Sequence, residues 1–124
     1  MKNNKISLLY IDDEPINLMI FEELFEQEYN IITADSGIKG LDILDLHKEI
    51  KVVISDMKMI GMNGLEFIKN ASFKFPQISY FILTGYELSE ELAKAVEKKI
   101  ISKCLHKPIN YNEIVKSVKL VLNH

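Results

Sequence analysis

Five short apolar runs alternate along the chain with stretches whose apolar residues recur every three or four positions, a rhythm of strand then helix that begins with β and closes with α. Ile6 to Ile11 is apolar except at Ser7, and Pro15 then falls where a helix tolerates a missing N–H, so a first helix is expected from Pro15 to Glu26. Asn30 to Ala34 is rich in β-branched residues, and Asp35 or Ser36 can cap a helix carrying Ile38, Leu41 and Leu44. After a loop over His47 to Lys51, the consecutive apolar residues Val52, Val53 and Ile54 suit a central parallel strand covered on both faces, which stops at Asp56. Gly61 and Gly64 punctuate the next loop. A third helix beginning with Leu65 and Ile68 must end before Pro76, because the residue preceding proline avoids the α region.

Tyr80 to Thr84 reads as the fourth strand. Ser89 caps a fourth helix, with Glu90 and Glu91 at its positive end and Lys98 and Lys99 at its negative end, as the macrodipole favours. Ile100 to His106 supplies a fifth strand, interrupted by Ser102 and Lys103. Asn110 and Glu113 resemble a capping box before a last helix with Ile114, Val118 and Val121 on one stripe. Strands alternating with helices predict an α/β domain, a doubly wound five-stranded parallel sheet with helices on both faces. No repeat, linker or low-complexity segment divides residues 1–124.

Composition changes this picture little. The 48% hydrophobic and 27% charged content is that of an ordinary globular domain able to bury a core. A net charge of -3 offers no field for nucleic acid or anionic lipid, and neither is expected as a direct partner. One cysteine excludes an internal disulfide, and no apolar stretch approaches the roughly 20 residues of a membrane span. The start, Met1 to Asn4, leads directly into a strand, so the cytoplasm is the expected compartment.

The chemistry gathers at strand ends. In a parallel sheet the carboxyl ends of the strands meet at one edge, which brings together Asp12 and Asp13, Asp56, and Lys107 before Pro108. Two carboxylates about 4 Å apart repel by roughly 4 kcal/mol at an effective dielectric of about 20, so a cation is expected to offset them. Oxygen ligands beside open water positions fit Mg²⁺. Lys107 adds an ammonium able to pair with a carboxylate or with phosphoryl oxygens. Thr84 adds a hydroxyl, and Gly85 is expected to leave room for an approaching phosphate. Together these groups make an acyl-phosphate acceptor.

Asp12, Asp13, Glu14 and Pro15 with Asn17, Asp56 followed by Met57, Lys58 and Met59, Gly61 to Gly64, Thr84 with Gly85 and Tyr86, and Lys107 with Pro108 occur in an order that resembles the receiver domain of two-component response regulators, over essentially the whole chain. The resemblance implies a flavodoxin-like fold with strand order 2-1-3-4-5 and a stand-alone receiver domain over residues 1–124. It implies that Asp56 is phosphorylated by a histidine kinase or histidine phosphotransfer protein. It further implies that Asp13 binds the metal directly with Asp12 assisting through water, and that Lys58 contributes only its backbone carbonyl. Thr84 and Lys107 would each hold a phosphoryl oxygen, and the Lys107–Pro108 bond would be cis. With no output region following, the signal is expected to leave by contact with a downstream protein.

The chain departs from the family at Cys104, which replaces a usual aromatic, at Ile60, which replaces a common proline, and at Asn63, which replaces a common aspartate. Cys104 reads as a small hydrophobe without redox chemistry, and His47, His106 and His124 as surface residues. On the first helix Leu18, Phe21 and Phe25 form one stripe, while Ile16, Met19 and Ile20 project away, which fits either broad burial or a partner-docking patch. The charges of the fourth helix fit a solvated face, which by analogy with the family is also an output surface. Two rivals remain: an aspartate-nucleophile phosphohydrolase, disfavoured because Lys58 stands where its general acid belongs, and a phosphorylation-independent binding module, disfavoured by the complete acidic set.

Overall fold

The computed structural model describes residues 5–85 and 88–123; Tyr86, His124 and the start Met1 to Asn4 lie outside the described residues. The chain runs β1 (Ser7–Ile11), α1 (Pro15–Phe25), β2 (Asn30–Ala34), α2 (Gly37–Leu46), β3 (Ile50–Asp56), α3 (Gly64–Lys74), β4 (Ser79–Thr84), α4 (Glu90–Glu97), β5 (Lys103–His106) and α5 (Tyr111–Leu122). All strand pairs are parallel, in the order β2-β1-β3-β4-β5. This is the doubly wound α/β sheet expected from the alternation.

Side chains alternate across the sheet, so each strand feeds two cores. Leu9, Ile11 and Val53 pack with Leu44 of α2, Phe67 and Ile68 of α3, and Leu92 of α4. Leu8, Tyr10, Val52 and Ile54 pack with Phe21 and Phe25 of α1 and Ile114 and Val118 of α5. On this second face an aromatic column joins sheet to helices. The Tyr10 and Phe21 rings lie 3.9 Å apart and 5° from parallel, Phe21 meets Phe25 at 4.6 Å, and Phe25 stacks on Tyr111 at 5.2 Å. Each such pair contributes about 0.5–1.5 kcal/mol beyond its buried area.

Helix starts follow the expected side chains: Ser36 accepts from the Lys39 N–H, Ser89 from Leu92, and Asn110 from Glu113. The reciprocal capping box stands at α3 instead, where Asn63 accepts from the Glu66 N–H and the Glu66 carboxylate accepts from the Asn63 N–H, both at 2.9 Å. The Asn63 departure from the family pattern therefore still caps its helix.

Two strand boundaries differ from expectation by more than one residue. β3 begins at Ile50 rather than Val52, because Ile50 pairs with Ser7 before a register shift and is itself buried. β5 begins at Lys103 rather than Ile100. The N–H groups of Ile100 and Ile101 both bond the Ala95 carbonyl and close the end of α4, with Lys99 in the left-handed region at φ 64°. Ladder pairing with β4 starts only after Ser102 donates to the Tyr80 carbonyl at 2.7 Å.

Candidate functional site

The strand order reverses direction between β1 and β3, and ligands bind at such a switch point, beyond the carboxyl ends of the strands. Asp12 leaves β1 fully buried. Its Oδ2 accepts from the Tyr10 hydroxyl at 2.8 Å and its Oδ1 from the Glu14 N–H at 3.0 Å, which satisfies a charge that burial would otherwise penalise heavily. Asp13 is half-buried, and its Oδ2 accepts from the Ile60 N–H at 2.9 Å, tying the β1–α1 turn to the β3–α3 loop.

Asp56 ends the central strand and is 4% exposed. The Lys107 ammonium lies 2.6 Å from its Oδ1. Burial raises the Asp56 pKa above the ordinary carboxylate value; Lys107 opposes the shift, while the charges of Asp12 and Asp13 reinforce it. Burial, then the charge of Asp12, holds the Tyr10 phenol far above its usual pKa, so it stays a donor.

Thr84 ends β4 and is buried, and its carbonyl accepts from the Lys107 N–H at 2.9 Å. The Lys107–Pro108 bond is cis. Asp56, Met57, Lys58, Thr84, Gly85 and Lys107 line a cavity of about 280 Å³. Lys107 also forms one wall of a groove of about 350 Å³ that runs between α1 and the β5–α5 loop past Asp12, Ile20 and Leu24. At Gly85 an added Cβ would meet Lys107 carbons at 3.8 and 4.0 Å, an ordinary contact, so the protein around it leaves this edge of the cavity open. Gly64 is the glycine tight against backbone, where a Cβ would fall within 3.0 Å of the Asp56 carbonyl oxygen.

The structure thus brings Asp56, Thr84, Lys107 and Lys58 around one cavity, with Asp12 and Asp13 close enough to act on the Asp56 charge. Among the described residues no three acidic, histidine or cysteine side chains already form a metal cage, because Asp12 and Asp13 are turned onto their own hydrogen-bond donors. The donor chemistry nevertheless suits a hard cation: the oxygens of the buried Asp56 carboxylate have only one lysine to offset them and feel the charges of two further carboxylates. The Glu14 and Ile60 N–H donors are backbone groups and leave no mark in the sequence. Tyr10 leaves one, since period two puts it on the same face as Asp12 with a polar tip in an apolar run.

Away from the cavity, Ile16 and Met19 are each 68% exposed and Ile20 47%, so the second stripe of α1 faces outward, and Leu24 joins it at 44%. Cys104 is half-buried against the core, and burial pushes its thiol pKa up, as its reading as a small hydrophobe expects. His106 and the side chains of Glu90 and Lys94 are exposed.

The chain belongs to the response regulator receiver domain family, whose model matches residues 8–119. It is 33% identical over 125 residues to Sporulation initiation phosphotransferase F of Bacillus subtilis (strain 168), covering 98% of this chain and 96% of that protein. It is 36% identical to the transcriptional regulatory protein YesN of the same organism, covering 93% of this chain. The chain spans only 32% of YesN and 24% of the hydrogenase transcriptional regulatory protein HoxA of Cupriavidus necator. A receiver domain from Clostridium thermocellum superposes with a TM-score of 0.88 at 28% identity, covering 95% of this chain and 94% of that one. Receiver domains are the phosphoacceptor signalling switches of two-component systems, not turnover enzymes; they generally bind Mg²⁺ and interact with histidine kinases or phosphotransfer proteins. Among the described residues no helix is long and apolar enough to cross a membrane.

Proposed function

We propose that this domain is a phosphorelay switch in which Asp56 accepts a phosphoryl group from a histidine kinase or histidine phosphotransfer protein. Asp13, Asp56 and the Lys58 carbonyl would hold Mg²⁺, with Asp12 acting through water. The observation that carries the reading is the buried Asp56 carboxylate, paired with Lys107 at 2.6 Å and acted on by the charges of Asp12 and Asp13. In the transfer the P–N bond of the donor breaks, its electron pair stays on the imidazole nitrogen, and an Asp56 oxygen forms the new P–O bond. Lys107 then exchanges the carboxylate for a phosphoryl oxygen, and the Thr84 hydroxyl donates to another. Mg²⁺, when bound, supplies the positive charge that offsets the clustered carboxylates and the incoming phosphoryl oxygens.

The donor docks on α1. Ile16, Met19 and Ile20 form its apolar centre, extended by Leu24 and by the groove beside Lys107. Glu14, Glu22, Glu23, Glu26 and Glu28 border that helix, with no Lys or Arg between residues 12 and 28, which suits a partner helix edged with basic side chains. Phosphorylation adds about -1.5 to -2 charges beside Thr84 and Lys107 and shifts the surface that a downstream protein reads. This reading implies a cytoplasmic location and stoichiometric modification rather than turnover.

The test is incubation with a small acyl phosphate and Mg²⁺ followed by intact mass. One labile phosphoryl adduct is expected, lost with chelator and absent in Asp56→Asn. Multiple turnover of small phosphate esters would favour the phosphohydrolase, and an unmodified wild-type protein would leave only a binding module.

A further inference from the structure

We propose that Tyr10 is a positioning residue for the carboxylate pair: its hydroxyl holds Asp12 in an orientation that confines Asp12 to an indirect, water-mediated role toward Mg²⁺. The proposal rests on the phosphoacceptor reading above and assigns a role to a side chain outside its motifs. The Tyr10 hydroxyl donates to Asp12 Oδ2 at 2.8 Å, and the Glu14 N–H takes Oδ1 at 3.0 Å. Asp12 is 0% exposed, so its orientation depends on these two donors. Rotating the carboxylate to aim it at a cation would strain both of these bonds.

The phenol is held as firmly as the carboxylate it serves. Tyr10 is 1% exposed, lies in the interior strand β1 between Thr33 of β2 and Ile54 of β3, and stacks on Phe21 at 3.9 Å with planes 5° apart. An aliphatic residue at this position would fill part of the same space and end short of Asp12. The hydroxyl is therefore what distinguishes tyrosine here from any other large apolar residue. Hydrogen-bond partners that orient metal-site carboxylates commonly set metal affinity by about 10–100-fold.

The experiment is a titration of the full chain with magnesium chloride, read by calorimetry and by tyrosine difference absorbance, which no tryptophan obscures. Tyr10→Phe keeps the stacked ring and removes one oxygen, and should weaken Mg²⁺ binding about tenfold. Phe21→Leu loosens the same stack without touching the hydroxyl, and should lower the melting temperature while leaving the Mg²⁺ affinity within about twofold of wild type. In unmutated protein, saturating Mg²⁺ should shift the tyrosine band, and Tyr10→Phe should lose that shift. Equal affinity in Tyr10→Phe and wild type, an equal loss in Phe21→Leu, or a Mg²⁺-bound wild type with an unchanged tyrosine band each overturns the positioning role and leaves the phosphoacceptor reading intact. A wild-type chain that binds no Mg²⁺ overturns both.

Discussion

Gly64 is the residue through which α3 touches the back of the proposed acceptor, and Gly64→Ala tests how closely. It opens α3, and its N–H donates to the Met57 carbonyl at 2.9 Å. An added Cβ would fall within 3.0 Å of the Asp56 carbonyl oxygen, and at 3.0 Å from both the Asp56 carbonyl carbon and Ile82 Cδ1. Alanine in place of glycine ordinarily gains about 1 kcal/mol from helix propensity and a less disordered unfolded chain. Overpacking costs about 1–3 kcal/mol, and the upper end applies because strand backbone cannot rotate aside. The net loss is about 2 kcal/mol, or about 8 °C in melting temperature for a domain of this size. Because the strain falls on Asp56 itself, acyl-phosphate labelling measured well below the melting point should slow about tenfold. Gly40→Ala is the control: the atoms nearest its Cβ are side-chain ends of Ile11 and Phe67 rather than backbone, so stability should fall by about 1 kcal/mol and labelling keep its rate. A Gly64→Ala protein that melts within about 2 °C of wild type, or labels at the wild-type rate, would refute the close approach.

Other consequences are equally direct. A raised folded pKa for Asp56 means that the proton's stabilising contribution is complete below the unfolded carboxyl value and lost as pH rises through the folded one. Asp56→Asn should therefore melt higher than wild type near pH 7.5, with the gain vanishing below about pH 4; a lower melting point at pH 7.5 would show that pairing with Lys107 outweighs burial. Asn63→Ala removes the acceptor for the Glu66 N–H and should cost about 1 kcal/mol in urea denaturation, an effect that an unchanged midpoint would exclude. Lys99, exposed at φ 64°, holds a conformation that costs a side-chain-bearing residue about 1–2 kcal/mol. Lys99→Gly should raise the urea midpoint by an equivalent of about 0.5 kcal/mol after the entropy of glycine is deducted, and a lowered midpoint would contradict that strain.

Elements whose signals are local were legible before any coordinates. The β2 range, the proline opening α1 and the serine caps of α2 and α4 rest on neighbours within four residues. Misplaced features depend on distant partners. Ile100 and Ile101 are apolar enough for a strand, yet their N–H groups turn back onto Ala95, and only the position of Tyr80 sets where pairing with β4 begins. Ile50 joins β3 because Ser7 lies opposite. The close approach at Gly64 likewise left no mark in the sequence, since crowding at a glycine is a property of the space around it.

The order of strand-end residues, with Asp12 and Asp13 after β1, Asp56 ending β3, Thr84 ending β4 and Lys107 after β5, is a property of the sequence, because alternation and parallel pairing send every strand's carboxyl end to one edge. The tertiary structure alone decided how those groups are held. It paired Lys107 with Asp56, turned Asp13 onto the Ile60 N–H across 47 residues, and set Tyr10 against Asp12 beneath the Phe21 ring. Periodicity specifies which face a side chain takes, whereas hydrogen bonds and burial depend on the distances between faces that packing creates.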